Sequence, residues 1–316
     1  MKCSTQLYLI YSIVLLFLIQ SCSSKQSKVS TEQYITILGI VQDGGYPHIG
    51  CQKICCTNVY NGKSKRKNVI ALGLVDLKNQ QKWLFEATPD MHTQLAILEQ
   101  NHLQKESLID GVFLTHAHIG HYTGLMYFGR EALGKKNIPV YTMPKMKNYL
   151  ENNGPWNQLI SLQNIVLKEL QHNIPIVLNP TIKVTPFVVP HRDEFSETVG
   201  YKIEGSKKTA LFIPDIDKWE KWKKNIIDEV KKVDYAFLDA TFFNQKEVKR
   251  AMTEVPHPFI EETITLFQNE SLTTKNKVIF IHFNHTNPAL QEDSNERKAI
   301  EKLGFRFASE GNNYQL

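Results

Sequence analysis

The chain has 316 residues, 42% of them hydrophobic, with 37 basic against 32 acidic side chains and a formal charge of only +5. So small an excess, interspersed along the chain, argues against a nucleic-acid partner. The densest basic run, Lys63-Ser64-Lys65-Arg66-Lys67, has no aromatic residues interleaved and reads as a solvated loop.

In chain order, Leu7 to Ile19 is apolar apart from Tyr8, Tyr11 and Ser12, and Lys2 supplies a basic start. The run is too short for an ordinary membrane span and suits a secretory signal. It closes on Leu18-Ile19-Gln20-Ser21-Cys22, which resembles a bacterial lipobox; a plain signal peptide or an uncleaved anchor is the alternative. The resemblance implies a signal peptide over residues 1–22, acylation of Cys22 and a lipid anchor in the bacterial envelope, facing the periplasm. Residues 23–31 then form a polar tether. Residues 32–316 are expected to form a single domain, since no linker divides them and they are numerous enough for one large core.

Tyr34 to Val41 is β-branched and apolar, and runs into the turn Gln42-Asp43-Gly44-Gly45-Tyr46-Pro47. Val69 to Asp76 and Lys82 to Phe85 read as strands, and Thr88-Pro89-Asp90 opens a helix with Leu95 and Leu98 on its apolar face. Val112 to Thr115 is a buried strand, Tyr122 to Leu133 helical, Val140 to Thr142 a strand and Pro144 to Asn152 a helix. Strands follow over Ile182 to Val189, Val199 to Ile203 and Thr209 to Ile213. Trp219 to Lys232 has helical period, Tyr235 to Leu238 is a strand, and Pro258 to Phe267 is a helix with proline at its start. Val278 to Ile281 is a strand, Gln291 to Leu303 a helix, and Phe305 to Ala308 a last strand. Strands followed by helices through the whole length predict two sheets covered by helices.

Apart from Cys3 and Cys22 there are three cysteines, Cys51, Cys55 and Cys56. An odd, clustered set is a poor disulfide framework, although Cys51 could pair with either neighbour. Three thiolates so close suit a structural zinc site, for which His48 is the nearest fourth ligand; free thiols are the third possibility.

The densest chemistry lies in His116-Ala117-His118-Ile119-Gly120-His121, at the end of a strand. Neutral imidazole is the commonest metal ligand, and residues i and i+2 of an extended segment face the same way, so His116 and His118 can grip one ion. Gly120 permits a sharp turn after which His121 faces a neighbouring position. Other polar residues also stand at the ends of apolar strands: Glu86, His191, Asp215 and His282. A layered α/β fold places its ligands at strand ends.

The histidine string resembles the His-x-His-x-Asp-His motif of the metallo-β-lactamase fold, and the ordered set is similar to the five motifs of that superfamily. The resemblance implies an α/β, four-layer αββα sandwich. It implies that His116, His118 and His191 form a first metal site, that His121, Asp215 and His282 belong to a second with Asp215 shared, and that Glu86 stands at the first-motif acid. The strings from Gln42 to Pro47, Ala87 to Asp90, Val189 to Glu194, Leu238 to Phe242 and His282 to Pro288 look most like the branch containing the B protein of pyrroloquinoline quinone biosynthesis. Two departures stand out. Gly120 replaces an acid that helps hold the second ion, which should weaken that site, and Glu86 replaces an aspartate. His285 could compensate if its loop folds back, or could be an exposed loop histidine.

A dication lowers the pKa of bound water from about 15.7 to near 7 and polarises the oxygen under attack. The expected activity is therefore hydrolysis of an ester, lactone or phosphodiester-type small molecule with one or two zinc ions, or iron or manganese in their place. Asp215 would orient the water. Glu86, Asp90 and Asp239 are candidates to accept imidazole N–H bonds, although Asp90 reads first as a helix N-cap. His257, between Pro256 and Pro258, could give a proton to the leaving group, or could be an exposed ring in a rigid turn. The alternatives are a metal-dependent oxidase or hydroxylase of quinone cofactor biosynthesis, and a lipid-anchored protein that binds a ligand without turnover.

Overall fold

The apolar runs become strands that alternate between two buried faces. The computed structural model describes residues 32–316. The expected signal segment 1–22, lipidation site Cys22 and tether 23–31 lie outside the described residues. One sheet runs in the order β14-β1-β2-β3-β4-β5-β6, with β1 Gln33–Gly39, β2 Ala71–Asp76, β3 Gln81–Phe85, β4 Gly111–Phe113, β5 Ile138–Thr142, β6 Ile165–Glu169 and β14 Asn313–Gln315. The other runs β13-β12-β11-β10-β9-β8-β7, with β7 Ile176–Asn179, β8 Ile182–Val188, β9 Val199–Glu204, β10 Thr209–Ile213, β11 Tyr235–Asp239, β12 Val278–Ile281 and β13 Arg306–Phe307.

In the first sheet the period of two is direct. Ile35, Ile37, Leu72, Leu74, Trp83 and Phe85 face the second sheet, while Tyr34, Leu38, Ala71, Val75 and Leu84 face a helical layer. Between the sheets Phe85 stacks on Phe113 at 4.8 Å and meets Tyr201 edge-on at 5.4 Å. Met91, Leu95 and Leu98 of the helix Met91–Asn101, with Met146 and Leu150 of Pro144–Asn152, cover the first sheet's outer face. The helices Ile226–Lys231, Ile260–Leu266 and Asn295–Lys302 bury Ile226, Val230, Ile260 and Ile300 against the rest of the core. The architecture is a four-layer αββα sandwich. Strands β3 to β6 are mutually parallel, as are β10 to β13, so their carboxyl ends share a rim in each sheet. No helix among the described residues is long and apolar enough to cross a membrane.

Several local expectations are corrected. Tyr122 to Leu133 is a 3-10 segment over Thr123–Phe128, not a longer helix. There Gly124 lies so close to the chain that a Cβ would sit 2.1 Å from the Thr88 carbonyl oxygen. Trp219 to Lys232 breaks into Trp219–Lys221 and Ile226–Lys231 because Asn225 Oδ1 accepts from the Ile227 amide at 2.8 Å and starts a new helix. The last helix is the shorter Asn295–Lys302, started by Ser294. The helices Ile54–Tyr60 and Trp156–Ser161 and the strands β6, β7 and β14 carry too little apolar periodicity to be read from sequence. Beyond the Phe305 to Ala308 region, β14 ends the chain by pairing antiparallel with β1.

Candidate metal centre

The strand ends bring the polar residues together. Glu86 follows β3, the histidine string follows β4, His191 follows β8, Asp215 follows β10, Asp239 ends β11 and His282 follows β12. Glu86 and His282 leave their strands with φ of 77° and 68°. A non-glycine residue pays about 1–2 kcal/mol for that left-handed conformation, which persists only where its surroundings enforce it. Here the Glu86 amide donates to the Phe113 carbonyl at 2.9 Å, and its carboxylate accepts from the Thr115 hydroxyl at 2.6 Å.

Asp215 is the hub. Its oxygens lie 3.4 Å from His116 Nε2, 3.1 Å from His121 Nε2, 3.5 Å from His191 Nε2, 3.2 Å from His257 Nδ1 and 3.5 Å from His282 Nε2. One ligand atom each from His116, His118, His191 and Asp215 lies within 4.8 Å of all the others; the same holds for Asp215, Asp239, His257 and His282. Both oxygens of Asp215, both ring nitrogens of His121 and of His191, and Nε2 of His282 are buried without a hydrogen-bond partner. Leaving such groups unsatisfied costs about 1–3 kcal/mol each, so a set that converges in this way is made for a cation. The residues present fit a metal ion, and the cluster is able to hold one.

Two threonines, unremarked in the sequence, set the imidazole tautomers. Thr115 donates its only hydroxyl proton to Glu86, so towards His116 Nδ1, 2.9 Å away, it accepts. That puts the proton on Nδ1 and leaves the Nε2 lone pair for an ion. Thr241 repeats the device, donating to Asp239 Oδ1 at 2.7 Å and accepting from His282 Nδ1 at 2.9 Å. Their only sequence signal is adjacency to motif residues. Thr241→Val is expected to weaken binding of the ion at His282 by roughly 10–100-fold, read by competition with a zinc chelator.

Burial pushes His191 down to about 4, and likewise lowers His116 and His118, so these rings are neutral as ligands must be. Burial also opposes charge on His257, but Asp239 at 2.9 Å and Asp215 outweigh it and raise the ring to about 10. His121 follows the same logic, burial disfavouring its charge while Glu86, Asp215 and Asp43 overcome that, so an ion taken up at its Nε2 must displace a proton. Stability of the metal-free protein then has a definite pH profile. Between about 4 and 6.5 the unfolded chain takes up protons that folded His191 and His116 refuse, so stability rises with pH. From 6.5 to about 10 folded His257 keeps a proton the unfolded chain has released, so stability falls. Thermal melting of the chelator-stripped protein should peak near neutrality; a midpoint rising steadily from pH 6 to about 9 would contradict this.

The placements of Asp90, His285 and His48 differ from expectation. Asp90 occupies the N-cap position of Met91–Asn101 but makes no cap bond; its carboxylate pairs with Arg66 and accepts from the Val69 amide at 2.9 Å, away from the imidazoles. His285 does not fold back to the cluster: its Nδ1 is 2.9 Å from Asn284 Oδ1, and its ring lies against His48 with centroids 4.2 Å apart. His257 is no free loop ring, since it faces Asp215 and Asp239. The sulfurs of Cys51, Cys55 and Cys56 converge within 4.8 Å as free thiols, without a disulfide. The ring of His48 does not join them; its Nδ1 turns to the Ile49 carbonyl at 2.8 Å, and only its backbone amide reaches Cys56 Sγ. Burial pushes the Cys56 thiol up to about 12.

An αββα sandwich with buried imidazoles and carboxylates meeting at one rim defines a class of proteins that hold metal between the strand ends. Residues 81–311 match the beta-lactamase superfamily domain, and the chain belongs to that family. It is similar to the coenzyme PQQ synthesis protein B of Methylorubrum extorquens (strain PA1), 24% identical over 88% of this chain and 98% of the relative. Among solved structures it is similar to Zn(2+)-bound PqqB from Methylobacterium extorquens, at 22% identity and a TM-score of 0.72, over 90% of this chain and 100% of that one. It is also similar to a diphosphatase from the PhnP family, at 20% identity and a TM-score of 0.63, over 89% of this chain and 96% of that one. At these identities the solved structures speak to the fold.

Proposed function

We propose that the protein is a metal-dependent enzyme, with His116, His118 and His191 holding one zinc ion, His121 and His282 a second, and Asp215 between them. The observation that carries this reading is the convergence of five imidazoles on the buried Asp215 carboxylate, whose oxygens, like ring nitrogens of His121, His191 and His282, have no hydrogen-bond partner. A bound dication supplies an acidified water and a Lewis acid for the oxygen under attack. The chain's own residues then divide the work. Asp215 orients the attacking water. Thr115 and Thr241 keep the imidazole lone pairs aimed inward. His257, charged between Asp239 and Asp215, holds a proton beside the reacting centre for the leaving group. Hydrolysis of an ester, lactone or phosphodiester-type small molecule suits this arrangement.

Likeness to the coenzyme PQQ synthesis proteins over nearly the whole chain supports a second reading, a metal-dependent oxidase or hydroxylase acting on a quinone precursor. That likeness backs it more strongly than any relative backs hydrolysis, while the retained His116–His118 pair and His257 favour hydrolysis. Metal analysis of the purified full chain, followed by reconstitution with zinc, iron or manganese, tests both. Turnover of an ester, lactone and phosphodiester panel with zinc supports hydrolysis. Oxygen consumption with iron or manganese only supports the second reading, and ligand capture without turnover overturns both. The three cysteines are proposed as a structural zinc site, and Cys22 as the lipid anchor to the envelope.

A further inference from the structure

Gly120 leaves a gap in the acids around the second ion position, and the structure fills it from elsewhere. Asp43, in the turn after β1, sends its Oδ1 to the Gly120 amide, which donates to it at 2.8 Å. The same oxygen lies 3.3 Å from His121 Nε2, and that nitrogen is 3.1 Å from the shared Asp215. A Cβ on residue 120 would fall 2.1 Å from this oxygen and 2.6 Å from the Asp43 Cα. Any side chain at 120 therefore competes with Asp43 for one space, and glycine is the residue that admits the aspartate.

The turn is also fastened to the strand end that carries His282. The Gln42 amide donates to the Phe283 carbonyl at 3.0 Å, and the Gln42 side chain donates to Asn284 Oδ1 at 3.1 Å. Val41 forms a bridge with Phe283. Asp43 is thus held in position by the same segment that supplies a histidine to the site.

Resting on the metal-centre reading above, we propose that Asp43 is a carboxylate ligand of the second ion, taking the part of the acid that Gly120 lacks. A hard anionic oxygen beside His121 restores the charge that the glycine removes, so the second position binds its ion firmly.

The test is metal counting on the full chain, together with zinc titration of the stripped protein against a chromophoric chelator. Wild type should bind two ions in addition to any held by the cysteines. Asp43→Asn keeps an amide oxygen for the Gly120 N–H but loses the charge. It should retain the first ion, which reports that the variant is folded, and weaken the second by more than the roughly 10–100-fold that loss of an outer hydrogen-bonding partner costs. Gly120→Ala, which displaces Asp43, should lose the same ion. Asp43→Asn binding both ions as tightly as wild type overturns the proposal, and so does a wild type with a single histidine-held ion. A wild type with no ion at the histidines sinks the metal-centre reading itself, which separates the two failures.

Discussion

Asp215→Asn should abolish cooperation between the two halves of the site. Its carboxylate is the one acid within 3.5 Å of five imidazoles contributed by both sheets. Asparagine preserves the shape but removes the charge that a dication shared between two histidine sets requires. The metal content should drop by at least one ion per chain, and turnover on the substrate found in the panel by roughly 10⁴, the scale seen when one member of a catalytic unit is removed. The folded state should survive, because asparagine fills the same buried space. The metal-free variant should also lose much of the alkaline fall in stability, since Asp215 helps hold the His257 proton. Unchanged metal content and turnover would remove Asp215 from the centre.

His257→Gln separates proton transfer from metal binding. The ring is partly exposed and lies 2.9 Å from Asp239 and 3.2 Å from Asp215. Its turnover should fall by about 10²–10⁴, the range for loss of a positioned acid, with metal content unaltered. The sign of the pH dependence follows from its raised affinity for protons. Wild-type activity should fall on the alkaline side as the ring loses its proton, and this limb should vanish in the variant. A variant that keeps the alkaline limb, or loses metal as well as turnover, would make His257 a structural or ligating group.

The strand ends were legible because their signal is local. A β-branched apolar run such as Val278 to Ile281 followed by His282 announces a buried strand and a polar residue at its end, whatever the rest of the chain does. The His116 to His121 string is equally local, as three imidazoles in six positions need no partner to be noticed. Glu86, His191, Asp215 and Asp239 were found for the same reason. Thr115 and Thr241 were not, because a threonine beside a motif residue is ordinary until its hydroxyl is seen between a carboxylate and an imidazole. Asp90 misled for the converse reason. Its place before a helix suggested a cap, while the contact that occupies it is Arg66, 24 residues earlier.

By itself the sequence determined the alternation of strands and helices, two sheets covered by helices and the inventory of imidazoles and carboxylates, since each follows from periodicity or spacing within a short segment. Only the tertiary structure decided which of them meet. It put Asp43 in the space Gly120 leaves open, 77 positions away, turned His285 towards His48, and made Asp215 the common neighbour of five rings. Those outcomes depend on how two twisted sheets bring distant strand ends to one rim, and no local pattern of hydrophobicity or spacing encodes that encounter.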